Sequence, residues 1–139
     1  MQKMILMVDD DPDDVLFFCN ALYESNKPYY CISVTNAEEA LQFLEHTLIN
    51  PEFIFLDLNM PRVNGKECLI KLKTNPQSRN IPVIVYSTSS QKREIDEIYK
   101  LGAAQFVSKP YSMRVLINTL SDILTCEKQN HFEYPMKSD

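Results

Sequence analysis

The sequence predicts a doubly wound α/β domain, a parallel sheet with helices on both faces. Three observations point to it. Apolar runs of only four to six residues recur along the chain, too short for helices and bounded by turn residues, as in strands buried on both faces of a parallel sheet. Stretches with helical periodicity separate these runs, and such alternation builds βαβ units. Right-handed crossovers then place helices on both sides of one sheet. Finally, Met4-Ile5-Leu6-Met7-Val8 and Phe53-Ile54-Phe55-Leu56 both run directly into carboxylates, Asp9-Asp10-Asp11 and Asp57. In open α/β sheets that carboxyl edge is where ligands bind.

The elements follow in order. After the first strand, Asp11-Pro12-Asp13-Asp14 opens a helix, with an Asp cap, Pro in the first turn and acids at the positive dipole end. Val15, Phe18, Cys19 and Leu22 form its inward stripe. Residues 29–34 read as the second strand. Asn36 and Glu39 form a capping box for a helix with Ala37, Ala40, Leu41, Leu44 and Leu48 on its core face. Beyond Asp57 a Pro/Asn/Gly turn leads to a helix from Gly65 to Asn75, stopped by Pro76. The fourth strand covers residues 81–86, where Pro82 is tolerated near the start. Ile95, Ile98 and Tyr99 mark a helix ended by Gly102. Residues 104–108 form the last strand, and Ser112 caps a helix from Met113 to about Lys128. The flavodoxin-like (βα)5 arrangement with strand order 2-1-3-4-5 accommodates this tally. We expect one domain over residues 1–128 and a polar, aromatic tail over 129–139.

Composition narrows the function. A length of 139 residues suits one domain with a sizeable core. The net charge of -5 argues against a basic nucleic-acid face. Cys19, Cys31, Cys68 and Cys126 lie far apart with no neighbouring histidine, which argues against zinc and disulfide scaffolds and suits a reducing cytosol. The start fits no secretory signal, and no apolar run nears the roughly 20 residues of a membrane span. A cytoplasmic location without nucleic-acid or membrane partners is expected.

The predicted topology makes strands one, three and four neighbours. Asp9, Asp10 and Asp57 then converge, with Ser87 and Lys109 at the rim. A carboxylate at a strand end can simply cap or turn the chain, but three in one cleft repel one another unless a cation joins them. Mg²⁺ suits such oxygen ligands and leaves room for a phosphate oxygen. A carboxylate so placed can attack phosphorus to give an aspartyl phosphate. Lys109 would neutralise phosphoryl charge, and the Ser87 hydroxyl would donate to a phosphoryl oxygen. Asp11, Asp13 and Asp14 read as helix-start residues, and His46 and His131 have no partner in sequence for acid/base work.

Val8-Asp9-Asp10, Leu56-Asp57-Leu58-Asn59-Met60-Pro61 with Gly65, Val85-Tyr86-Ser87-Thr88 and Phe106-Val107-Ser108-Lys109-Pro110, in that order and spacing, resemble the receiver domain of two-component response regulators. The likeness covers residues 4 to about 126. Asp11-Pro12-Asp13-Asp14, Ser87-Thr88-Ser89-Ser90 and Tyr99-Lys100-Leu101-Gly102-Ala103 are most similar to single-domain regulators, including those paired with bacterial phytochromes. The resemblance implies Asp57 as phosphoacceptor and Asp10 with Asp57 as Mg²⁺ ligands. It implies Asp9 acting through a metal-bound water, and the Asn59 backbone carbonyl completing the protein ligands. Ser87 and Phe106 take the switch positions, Lys109 the phosphate-binding one, and the Lys109–Pro110 peptide is often cis in relatives. Phe106 lacks the hydroxyl of a tyrosine, and Thr88 is bulkier than the residue often found there.

The function implied is a phosphorelay switch fed by a sensor histidine kinase, such as a phytochrome, or by a phosphotransfer protein. It would assist its own phosphorylation and dephosphorylation without being a separate enzyme, and signal through a downstream protein. Two rivals are disfavoured. An aspartate-nucleophile phosphatase wants a second Asp where Asn59 stands, and a pseudo-receiver would not need Asp9, Asp10, Asp57, Ser87 and Lys109 all present. For output, Met113, Leu116, Leu120, Ile123 and Leu124 already fill a helix stripe, and Val115 and Ile117 widen it. The face of the fourth helix, fifth strand and fifth helix, with Tyr99, Tyr111 and the tail's Phe132 and Tyr134, is therefore expected to bind protein, a second copy included. The alternative is that the tail folds back over that flank.

Overall fold

The computed structural model describes residues 2–59, 65–88 and 91–125. Strands and helices alternate as β1 (Lys3–Val8), α1 (Pro12–Glu24), β2 (Tyr29–Val34), α2 (Ala37–His46), β3 (Phe53–Leu56), α3 (Gly65–Thr74), β4 (Val83–Ser87), α4 (Lys92–Lys100), β5 (Gln105–Ser108) and α5 (Met113–Thr125). The strands form one sheet of order β2-β1-β3-β4-β5, and all four pairings are parallel.

Period-two alternation along these strands feeds two separate cores. Leu6 and Val8, Ile54 and Leu56, and Val83 and Val85 point to one face, where Ala40 and Leu44 of α2, Cys68, Leu69 and Leu72 of α3, and Ile98 of α4 meet them. Ile5 and Met7, Phe53 and Phe55, and Ile84 and Tyr86 point to the other, against Phe18, Ala21 and Leu22 of α1 and Leu116, Leu120, Ile123 and Leu124 of α5. Phe18, Phe55 and Tyr86 form an aromatic cluster there, with ring centroids 4.9 to 6.4 Å apart. Both faces of β1, β3 and β4 are thus covered, which is why their sequences read as unbroken apolar runs.

The expected punctuation is present. The Asp11 side chain accepts the Asp13 amide at 2.9 Å, and Asn36 accepts that of Glu39 at 2.9 Å. The Glu39 carboxylate reaches back one residue further than a capping box requires, to the Thr35 amide at 2.8 Å. Gly102 ends α4 with φ of 110°, a conformation that suits glycine. Gly65 is required for a different reason. A Cβ there would stand 2.5 Å from Leu58 Cα, so the start of α3 lies directly on the backbone that follows Asp57.

Several expectations are corrected. β4 starts at Val83, since Pro82 has no N–H for the ladder, although its carbonyl still accepts from Ile54 at 3.0 Å. β5 starts at Gln105. Leu48 is fully exposed because α2 stops at His46, before the next turn could bring it inward. Ala21 takes a core place on α1, while Val15 and Cys19 are half-buried. Of the two residues expected to widen the α5 stripe, Ile117 packs against the core and Val115 is exposed. Tyr99 is half-buried against the other core rather than open to partners. The continuation of α5 to Lys128, the tail over 129–139 and the turn over 60–64 lie outside the described residues.

Candidate functional site

Strand parity decides which side chains meet at the carboxyl edge. Asp9 continues the alternation of Ile5 and Met7, Asp57 that of Phe53 and Phe55, and Lys109 follows Val107 by two residues. All three emerge on the α1/α5 side. Asp9 and Asp57 are buried, at 2% and 4% exposure. With the exposed Asp10 they bring one carboxylate oxygen each within 4.8 Å of one another. The expected triad is assembled.

Each buried acid is held from both ends. Asp9 Oδ1 accepts the Asp11 amide at 2.9 Å, and its Oδ2 lies 3.1 Å from Lys109 Nζ. Asp57 Oδ1 accepts the Asn59 amide at 3.1 Å, and its Oδ2 lies 3.5 Å from the same ammonium. Burial pushes the Asp9 carboxyl up to about 6. The Asp11 amide and the Lys109 charge hold it down, and the Asp57 charge pushes it further up. Burial works to lower the Lys109 pKa, but the hydrogen bond to Asp14 and the charges of Asp57 and Asp9 outweigh it and raise the group above an ordinary lysine. The ammonium also stands 5.3 Å from the Tyr86 ring centroid, and burial pushes the Tyr86 phenol up to about 12.

The opposite parity carries the other predicted pair. Ser87 continues Val83 and Val85 and is fully buried, whereas Phe106 is half-buried against the α2/α3/α4 core. Asn59 joins the two sides, since its Nδ2 donates to Ser87 Oγ at 3.2 Å and to Thr88 Oγ1 at 2.8 Å. The Phe106 amide donates to the Tyr99 hydroxyl at 2.9 Å, tying β5 to α4. Phe106 thus lies one register step from the site, opposite Val85 in the ladder. The Lys109–Pro110 peptide is trans here.

One site residue was missed. Asp14 was read only as a helix-start acid, yet its Oδ2 is 2.6 Å from Lys109 Nζ. The signal was available. Asp14 lies four residues before Phe18, so it shares the inward face of α1 one turn nearer the carboxyl edge. Asp11 and Asp13 remain exposed cap residues as expected.

The doubly wound sheet carries three clustered carboxylates and a lysine at its carboxyl edge, the edge where open α/β folds of this class bind ligands. The chain matches the response regulator receiver domain over residues 5–121 and belongs to that family of signalling domains. Among curated relatives, the response regulator SaeR of Staphylococcus aureus is 29% identical over 128 residues, 92% of this chain and 54% of that protein. The chain therefore spans about half the length of the curated relatives it matches. Among solved structures, the phosphorylated cyanobacterial phytochrome response regulator RcpA is 28% identical with a TM-score of 0.80, covering 94% of this chain and 96% of RcpA. The Mn²⁺-bound response regulator Rcp1 is 28% identical with a TM-score of 0.75, covering 88% of this chain and 92% of Rcp1.

Proposed function

We propose that this chain is a phosphorylation-driven switch in which Asp57 accepts a phosphoryl group from a sensor histidine kinase or a phosphotransfer protein. One observation carries the reading. Asp57 is a buried carboxylate with the Asn59 amide fixed on one oxygen and the Lys109 ammonium beside the other. A lone pair on a carboxylate oxygen attacks phosphorus, forming an O–P bond. The P–N bond to the donor imidazole breaks and its electron pair stays on that nitrogen. Lys109 then donates to the phosphoryl oxygens. Attack by water returns the carboxylate and releases inorganic phosphate.

The donor set is all oxygen, which suits a hard cation. Asp9, Asp10, Asp57 and the Asn59 carbonyl would hold Mg²⁺, which when bound offsets the mutual repulsion of the acids and stabilises charge on the transferring group. Rcp1 was solved with Mn²⁺, a cation of the same preference.

Ser87 and Phe106 are proposed as the switch pair. A phosphoryl group on Asp57 draws the Ser87 hydroxyl towards it, and the space vacated admits Phe106. Asn59, which hydrogen-bonds Ser87, and Tyr99, which holds the Phe106 amide, support this route. By analogy with RcpA, the kinase is proposed to be of the phytochrome class. Output runs through proteins that bind the α4–β5–α5 face, a second copy of the chain included. The domain catalyses nothing beyond its own phosphorylation and dephosphorylation.

The test is labelling by a small acyl phosphate with and without Mg²⁺. Wild type is expected to take one phosphoryl group only with Mg²⁺, and Asp57→Asn none. An Asp57→Asn variant that labels at the wild-type rate would falsify the assignment.

A further inference from the structure

Lys109 is engaged by more acids than the phosphoryl chemistry needs. Its Nζ lies 3.1 Å from Asp9 and 3.5 Å from Asp57, but its shortest contact, 2.6 Å, is to Asp14 on α1. Asp14 stands outside the Asp9, Asp10, Asp57 cluster. The cap of α1 does not need it, because Asp11 already accepts the Asp13 amide. Its side chain is 36% exposed, so it fills no core space either. An ammonium has three donors, and three carboxylates surround this one before any phosphoryl group arrives.

We propose that Asp14 is a positioning residue that acts through Lys109, holding the ammonium towards α1 and competing for it with the phosphoryl oxygens, so that it restrains phosphorylation of Asp57. The inference rests on Asp57 being the phosphoacceptor. Among the three acids, Asp14 is the natural one to release the lysine. Its partly exposed carboxylate regains water when the contact opens, whereas Asp9 and Asp57 are shut in. The resting lysine is neutralised by a residue that does not react, and the incoming phosphoryl group must displace that residue.

The test compares rates of Mg²⁺-dependent labelling by acetyl phosphate, in which Asp57 displaces acetate from phosphorus. Asp14→Asn is expected to label faster than wild type by about threefold or more, since the lysine is no longer held towards α1. Asp14→Glu, which keeps the carboxylate, should return towards the wild-type rate. Asp13→Asn removes the same charge from the same helical turn without a lysine contact, and should stay within about twofold of wild type. In a Lys109→Gln background the Asp14→Asn effect should vanish, because its route runs through the lysine. Thermal midpoints of all variants separate this from a loss of folding. A rate for Asp14→Asn at or below wild type overturns the inference, and so does an acceleration that persists without Lys109 or is matched by Asp13→Asn. A wild type that takes no label overturns the phosphoacceptor reading first, and this inference with it.

Discussion

Asp9 illustrates how a single buried residue trades stability for a site. Its carboxyl rises from the ordinary 3.8 to about 6, chiefly because burial penalises the charged form. A raised folded-state value means the native protein binds the proton more tightly than the unfolded chain. The resulting stabilisation is complete below about pH 4 and is lost as pH rises through about 6. At neutral pH the charged Asp9 therefore costs on the order of 3 kcal/mol relative to an unperturbed acid. Metal-free Asp9→Asn is expected to be more stable than wild type at pH 7.5 and to lose that advantage as the pH falls towards 4. Thermal midpoints across that range check it. Equal midpoints for the two proteins at pH 7.5 would show that the acid is satisfied without a cation. Asp9, Asp10 and Asp57 were legible in the sequence because each ends an unbroken apolar run or follows one that does. Asp14 was hidden because its residue type has a sufficient local explanation at a helix start, and its partner lies 95 residues away.

At the scale of elements, the loop after β3 is positioned by the start of α3. Gly65 packs on the Leu58 backbone with no space for a methyl group, and the nearest atoms are main-chain atoms that cannot swing aside. Leu58 lies between Asp57 and Asn59, whose amide and side chain organise the Asp57 carboxylate and Ser87. Gly65→Ala is expected to cost about 1–3 kcal/mol or more by overpacking and to slow labelling of Asp57 beyond what the lost stability explains. Chemical denaturation alongside labelling checks both, and a variant with wild-type midpoint and rate would show that the loop has slack. The elements themselves were readable because short apolar runs and 3.6-residue stripes agree with the caps around them. Their ends were less readable. Leu48 continues the helical period of α2, but the chain leaves the helix at His46, so periodicity alone placed it in the core. Ile117 and Val115 flank the α5 stripe symmetrically in sequence. Only the packing of α5 on the sheet and α1 distinguishes the buried flank from the open one.

At the scale of the molecule, the two cores divide the labour. The acids and Lys109 face the α1/α5 side, while Ser87 and Phe106 face the α2/α3/α4 side, so a change at Asp57 must cross the sheet edge to reach α4. Asn59 and the Tyr99–Phe106 hydrogen bond lie on that crossing. The face at its far end is the proposed interaction surface. Among the described residues β5 pairs only with β4, so its other edge is open. Val115 is 49% exposed and Tyr111 fully so. The exposed positions of α4 and α5 carry both signs of charge, with Lys92, Arg93, Lys100 and Arg114 against Asp96, Glu97 and Asp122. A two-fold interface sets the same patch against itself, and both signs are what such a patch requires. Val115 is the residue to test, because Ile117 packs on the core and a charge there would disturb the fold as well as the face. Val115→Glu should leave the thermal midpoint nearly unchanged, since exposed substitutions stay within about 0.5 kcal/mol. It would set two carboxylates against each other across a dimer. Light scattering with Mg²⁺, with and without the phosphoryl mimic beryllofluoride, is expected to give a dimer for the mimic-bound wild type and a monomer for Val115→Glu. A wild type that stays monomeric in both states ends the second-copy reading and leaves this face to an unlike partner.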